Sequence, residues 1–392
     1  MKIKISTFVK YFIILGLLIV PLLHIGEVNA LMSGELESQS TLYTPIYIKV
    51  LKDLIMISLL FILLLLYIRE TKLSYFIVLL ALILIINISI FFSSLAGNTE
   101  TLIFGLRWIY PLFIFLLGLN FIKRDLLDIS FEYVLIFIFL IHFFMQVYLF
   151  FSEISWFGLI LDKYSGRNPG IFLLPNNAAF FSVLILFWLL FFSKIKANII
   201  KLFLILLTVV SIFLTASGTG LVTLVFILTI YGLPKVFLIF APLIGLFSMP
   251  ILILIFNLVR GKEYIEVSGG TRLQIFVDNF VDSSLFSKSF GYFTNVATLM
   301  NYSDKIMDST YASLVGNLGI LPFMIILIIL FLALVKAFTK FDKVKINFLI
   351  IILFFSSTTI IFEAYPMNLL LAIWGCILYG QKQQSQHSLP NL

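Results

Sequence analysis

Arginine and aspartate are the residues here whose placement could do chemistry. Arg167 lies in GRNPGIFLLPNN between two apolar runs, Arg260 and Arg272 fall in a polar stretch of the second half, and Arg107 sits in GLRWIYP at the start of another apolar run. A guanidinium grips phosphate oxygens in a two-pronged geometry and stays charged at any physiological pH, so several on one face would bind a polyanion such as a diphosphate. Taken singly, each has a plainer use: snorkelling to head groups, or an ion pair such as Arg107 with Glu100 or Arg260 with Glu263. Asp304 and Asp308 stand just before an apolar run. Asp308 is a candidate general base toward a sugar hydroxyl, or simply a helix cap. His24, His142 and His387 are scattered, Cys376 is the only cysteine, and no Asp-x-Asp pair falls in an outer stretch, so neither a metal nor a cofactor is expected.

The elements that must position these residues are apolar. The chain has 392 residues, 61% hydrophobic and 11% charged, with a mean hydropathy of +1.15. Such a composition belongs to an all-α integral membrane protein, and its continuous apolar runs exclude a β-barrel of alternating strands. At the roughly 20 residues needed to cross a bilayer, about 12 spans can be placed. They run over 8–25, 54–67, 75–92, 102–122, 131–151, 171–192, 199–215, 221–232, 236–258, 311–335, 346–362 and 367–379. With both termini cytoplasmic, one side gathers most of the 26 Lys and Arg residues and the other most of the 19 acids, as the positive-inside rule requires. Residues 1–30 are read as a first span that anchors and orients the chain; the lesser alternative is a secretory signal whose removal would put the new amino end outside.

The chain forms one polytopic domain, 1–392. On the outer side lie a loop at 152–170, carrying Arg167, and a larger one at 259–310 between the ninth and tenth spans. Within the larger loop, SGGTRLQIFVDNFVDSSLF has Leu273, Phe276, Val277 and Phe280 at helical spacing, the pattern of an amphipathic helix lying in the interface. Its glycine-led amino end would offer free N–H groups to an anion beside Arg272, or an ordinary threonine cap. LTASGTGLVTLVF is a tight outer turn whose small residues signal close packing.

In this order the segments resemble the Wzy-type polysaccharide polymerase and O-antigen ligase superfamily of bacterial inner membranes. GRNPGIFLLPNNAAF is similar to that family's Arg-x-x-Gly-x-Phe-x-x-Pro-Asn segment, and LTASGTGLV to its Leu-Thr-x-Ser-Arg-Gly turn. GGTRLQIF resembles its second periplasmic arginine segment, SFGYF its glycine step, and DSTYASLVGNLGILPF the start of a late helix. Two departures stand out. Asp308-Ser309 replaces the His-Asn pair of the ligase branch, and Gly218 takes the place of the turn's arginine.

The resemblance implies a multi-pass inner-membrane glycosyltransferase whose site faces the periplasm. It would join undecaprenyl-diphosphate-linked repeat units without a metal, moving the growing glycan onto the terminal hydroxyl of a new unit and releasing undecaprenyl diphosphate. The product would be an O-antigen, capsule or related surface polysaccharide. Arg167 and Arg272 would hold the diphosphate, with Asp308 as base. Arg107, Arg260, Asn176 and Tyr311 would bind substrate. The expected partners are lipid-linked glycans and membrane lipid, with no nucleic acid, and a chain-length regulator is left open. The alternatives are the ligase and a flippase or other transporter of lipid-linked oligosaccharides.

Overall fold

Where no water is available, a backbone can satisfy its N–H and C=O groups only within a helix or a closed barrel. The apolar runs accordingly fold as helices. The computed structural model describes residues 5–33, 43–70, 73–152, 167–234, 237, 273–278, 280–281, 283–300, 302–303 and 309–380, and no strand occurs among them. In chain order the helices are α1 (Ile5–Leu18), α2 (Ile25–Ser33), α3 (Ile46–Glu70), α4 (Leu73–Leu95), α5 (Leu102–Gly118), α6 (Ile129–Phe151) and α7 (Pro175–Phe191). They continue with α8 (Asn198–Leu214), α9 (Gly218–Gly232), α10 (Asn295–Leu299), α11 (Thr310–Leu318), α12 (Ile320–Thr339), α13 (Lys343–Ser356) and α14 (Met367–Tyr379).

Among the described residues, five helical stretches are long and apolar enough to cross a membrane: Thr7–Ala30, Ile46–Tyr67, Phe76–Leu95, Ile129–Phe151 and Ile320–Thr339. Five shorter apolar helices accompany them. This is the architecture of a helical membrane protein, and its outer faces agree: Ile57, Phe61, Leu84, Leu202, Leu206, Ile329 and Phe331 are all exposed. In water such a surface would aggregate, whereas lipid tails match it.

At the centre runs α7. It is apolar all round, as a helix enclosed by other helices should be, and Ala178 through Leu190 are buried without interruption. It packs on α6, α8, α9, α13 and α14. Phe180 stacks on Phe355 with centroids 4.3 Å apart, and Trp188 lies parallel to Trp374 at 6.2 Å. Whatever precedes α7 is therefore fixed to the bundle's most rigid element.

Two expected spans differ in the structure. α3 starts at Ile46, so Lys49, Lys52 and Asp53 occupy its first turns instead of a connecting segment. A helix can begin ahead of its apolar run when the leading charges find partners, and these do: Lys49 reaches Glu27 at 2.8 Å and Lys52 reaches Asp53 at 3.2 Å. The span expected from Tyr311 to Val335 is two helices, broken at Gly319, whose φ of +98° only glycine adopts without strain. A Cβ there would also lie 2.5 Å from the Leu285 carbonyl oxygen. The ninth expected span, at 236–258, falls outside the described residues apart from Phe237.

The two ends of the bundle differ. At one end Lys10 pairs with Asp128 at 2.5 Å, the Lys194 backbone N–H donates to Glu132, and Lys343 donates to the Tyr231 carbonyl. At the other end the connection 357–366, between α13 and α14, bonds to Asn176, Thr219, Asn295 and Thr310.

Candidate functional site

Pro175 sets the geometry of the opening motif. As the first residue of α7 it gives up an N–H that would be unpaired anyway, while Leu174 before it stays extended. The chain 167–169, outside any helix, lies against the end of α8, where the Asn168 N–H donates to the Leu214 carbonyl at 3.0 Å. Beneath it lies a buried polar chain. Gln146 donates to the Asn168 carbonyl at 3.1 Å and accepts from Ser211 at 2.5 Å, and Ser211 bonds Ser182 at 2.8 Å. The segment is thus anchored from below as well as behind.

Arg167 is 6% exposed, more enclosed than a loop arginine on a membrane surface would be. Its Nη2 donates to Asn176 Oδ1 at 3.4 Å, and the same oxygen accepts from Ser217 Oγ at 2.9 Å. Asn176 Nδ2 in turn donates to the Thr358 carbonyl at 3.3 Å, and Thr219 bonds Thr358 through their hydroxyls at 2.9 Å. Three stretches far apart in sequence meet here through direct hydrogen bonds: the arginine motif, the small-residue turn and the last connection. The turn read from sequence as packing alone therefore contributes a polar group, Ser217, to the surroundings of Arg167.

The glycine step and the late-helix segment also meet. Asn317 Oδ1 accepts from the backbone N–H groups of Gly291 and Phe293, at 2.9 and 3.1 Å, and its Nδ2 donates to the Phe293 carbonyl at 2.9 Å. Gly291, with φ of +87°, lies so close to the start of α5 that a Cβ would sit 1.9 Å from the Thr101 carbonyl oxygen. Thr101 also donates to the Phe290 carbonyl at 2.9 Å. The amino end of α5, and Arg107 with it, is fixed by this step.

Arg107 does not pair with Glu100. Its Nε lies 3.2 Å from Asp53 Oδ2, and Asp53 is shared with Lys52, whose ammonium also stands 5.6 Å from the centre of the Tyr365 ring. Asn368 donates to the Tyr110 hydroxyl at 3.3 Å, and Tyr365 donates to the Gly16 carbonyl at 2.5 Å. Glu363, on the same connection, accepts from the Asn295 N–H at 2.8 Å. Crowding by protein pushes the Glu363 carboxyl above the usual carboxylate range; the Asn295 N–H and the Arg107 charge oppose this but do not cancel it. Lys52, Asp53, Arg107 and Glu363 all keep part of their side chains accessible, with 12%, 29% and 35% exposure for the first three. They form a mixed-charge cluster, connected along the chain through residues 358–368 to Thr358 and the Arg167 group.

Of the residues expected at a site, Arg167 and Asn176 are in contact, and Arg107 belongs to the mixed-charge cluster with Asp53 and Lys52. Tyr311 is used differently: its hydroxyl donates to the Leu353 carbonyl at 2.9 Å, a packing bond between α11 and α13. Arg260, Arg272 and Asp308 lie outside the described residues, as do most of loop 152–170 and Asp304. Residues 273–278 are helical, as the amphipathic pattern predicts, but the face differs in detail: Phe276 packs on Phe323 while Leu273 and Val277 stay exposed. No group of His, Cys, Asp and Glu that could hold a metal occurs among the described residues.

Lys52, Asp53 and Glu363 were not singled out from sequence. The available signal was ionisable residues within two or three positions of apolar runs, in YIKVLKDL and IIFEAYPMN. Comparisons with protein-family models, with curated proteins and with solved structures find no match to this chain.

Proposed function

We propose that the chain is a membrane glycosyltransferase of the Wzy polymerase type, acting on undecaprenyl-diphosphate-linked repeat units at the outer face of a bacterial inner membrane. In this reading about 12 helices cross the bilayer with both termini cytoplasmic, and the Arg167 end faces the periplasm. The observation that carries the reading is the bonding of Arg167 to Asn176 and of Asn176 to Ser217, which draws together segments that resemble separate motifs of that superfamily. A resemblance spread over more than a hundred residues gains weight when its pieces meet in space.

Mechanistically, Arg167 and Arg272 hold the diphosphate and offset the charge that builds on it as the anomeric bond breaks. Arg107 and Arg260 are further candidates for binding the substrate, and Asn176 orients Arg167. Diphosphate leaves readily, so the reaction needs a base toward the acceptor hydroxyl more than an acid toward the leaving group.

A flippase or other transporter of the same lipid-linked unit is a second reading, favoured by Lys52, Asp53 and Arg107 lying within α3 and α5 instead of in loops. Surface glycan from a deletion strain separates the two. Glycan reduced to single repeats, restored to a ladder by the wild-type gene but not by Arg167→Ala at equal protein level, supports the polymerase. Loss of all surface glycan, with lipid-linked units accumulating inside, supports transport.

A further inference from the structure

Asp308 was expected to be the base from its place before a helix, yet another carboxylate has the surroundings the role requires. Glu363 sits on the connection 357–366, which also supplies Thr358 to Asn176 and so to the Arg167 group. One carboxylate oxygen is fixed by the Asn295 N–H at 2.8 Å. The side chain is half-buried, and the charges of Arg107 and Lys52 act on it. A base needs this combination: an oriented carboxylate, partly withdrawn from solvent and near cations that would hold an anionic donor.

Resting on the polymerase reading above, we propose that Glu363 is the carboxylate that takes the proton from the acceptor sugar hydroxyl during chain transfer. The hydroxyl oxygen bonds to the anomeric carbon of the growing glycan as that carbon's bond to the diphosphate oxygen breaks. The electron pair leaves with undecaprenyl diphosphate, and the hydroxyl proton passes to Glu363, which later returns it to water. No metal or redox partner enters this balance. Lys52 and Arg107, from α3 and α5, lie on the side where the leaving diphosphate would develop charge, and Asp53 keeps the pair oriented.

The groups facing Glu363 set its response to pH. They are Lys52 of α3, Arg107 and Tyr110 of α5, and the Asn295 and Val296 backbone N–H groups of α10. Desolvation raises the Glu363 carboxyl, so the active, ionised form is lost as pH falls, from a point above the usual carboxylate range.

The test uses full-length protein in liposomes, with the lipid-linked single repeat unit extracted from the deletion strain as probe. Glu363→Gln should slow elongation by about a hundredfold or more, leaving the denaturation midpoint and protein level at wild-type values. Glu363→Asp, which keeps the charge, should retain measurable elongation with its acid limb moved to lower pH. A purely structural glutamate would move no acid limb. Wild-type elongation by Glu363→Gln, or an unshifted limb in Glu363→Asp, overturns the proposal. If wild-type protein itself never lengthens the probe, the polymerase reading fails instead. If wild type elongates and Glu363→Gln does too, only the role of Glu363 fails.

Discussion

Replacing Asn176 with leucine, which is nearly the same size, removes the bonds that bring Arg167 to the turn and to the last connection. Three are lost: from Arg167 at 3.4 Å, from Ser217 at 2.9 Å and to the Thr358 carbonyl at 3.3 Å. Interhelical polar contacts in membranes average about 0.6 kcal/mol each, so three give about 2 kcal/mol. Ser217 is fully buried, and losing its acceptor adds on the order of 1 kcal/mol. The expected loss is thus about 2 to 3 kcal/mol in unfolding free energy, measured by denaturant titration of purified protein in mixed micelles. Elongation should fall as well, since Arg167 loses its fixed direction. Asn176→Asp separates the two effects. It keeps an acceptor for Arg167 and Ser217, so stability drops less, yet its negative charge neutralises Arg167 and elongation should stop. A leucine variant within about 0.5 kcal/mol of wild type that still elongates normally would refute the idea that this network builds the site.

Gly291→Ala forces a methyl to within 1.9 Å of the Thr101 carbonyl oxygen at a φ of +87°, and should cost about 3 kcal/mol or more by the same titration. Asp53→Ala leaves Lys52 and Arg107 without their shared carboxylate. A double-mutant cycle with Arg107→Ala should give a coupling of about 1 kcal/mol, modest because both side chains are about a third exposed. At the opposite end, desolvation would raise the Asp128 carboxyl, but the Lys10 ammonium, the Ser130 hydroxyl and the Phe131 N–H outweigh it and bring it from 3.8 to about 2. A folded value below the unfolded one means the group stabilises the fold above the unfolded value and loses that effect as pH falls through about 2. The stability gap between wild type and Asp128→Asn should therefore be full at neutral pH and close across that window.

Patterns local in sequence were legible in it. Apolar run length gave most of the helices, and Asn-Pro and Pro-Asn gave the extended approach to α7. The helical segment at 273–278 followed from apolar spacing. Contacts between distant segments were not legible. Asp53 and Arg107 are paired by helix packing that no local pattern encodes, and Glu363 meets Asn295 only because α10 folds back beneath the last connection. The break at Gly319 was not placed from sequence, because GNLGILPF, with its glycines, asparagine and proline, lies inside an apolar run long enough to be drawn as one span. Only the close passage of Leu285 makes its left-handed glycine necessary.

The most direct test of the central claim is product length from purified protein in liposomes supplied with lipid-linked single repeat units and no other enzyme. The account predicts a ladder of longer lipid-linked glycans from wild type and only the starting unit from Arg167→Ala. Single units left unextended by wild type but moved between leaflets, or a normal ladder from Arg167→Ala, would contradict it.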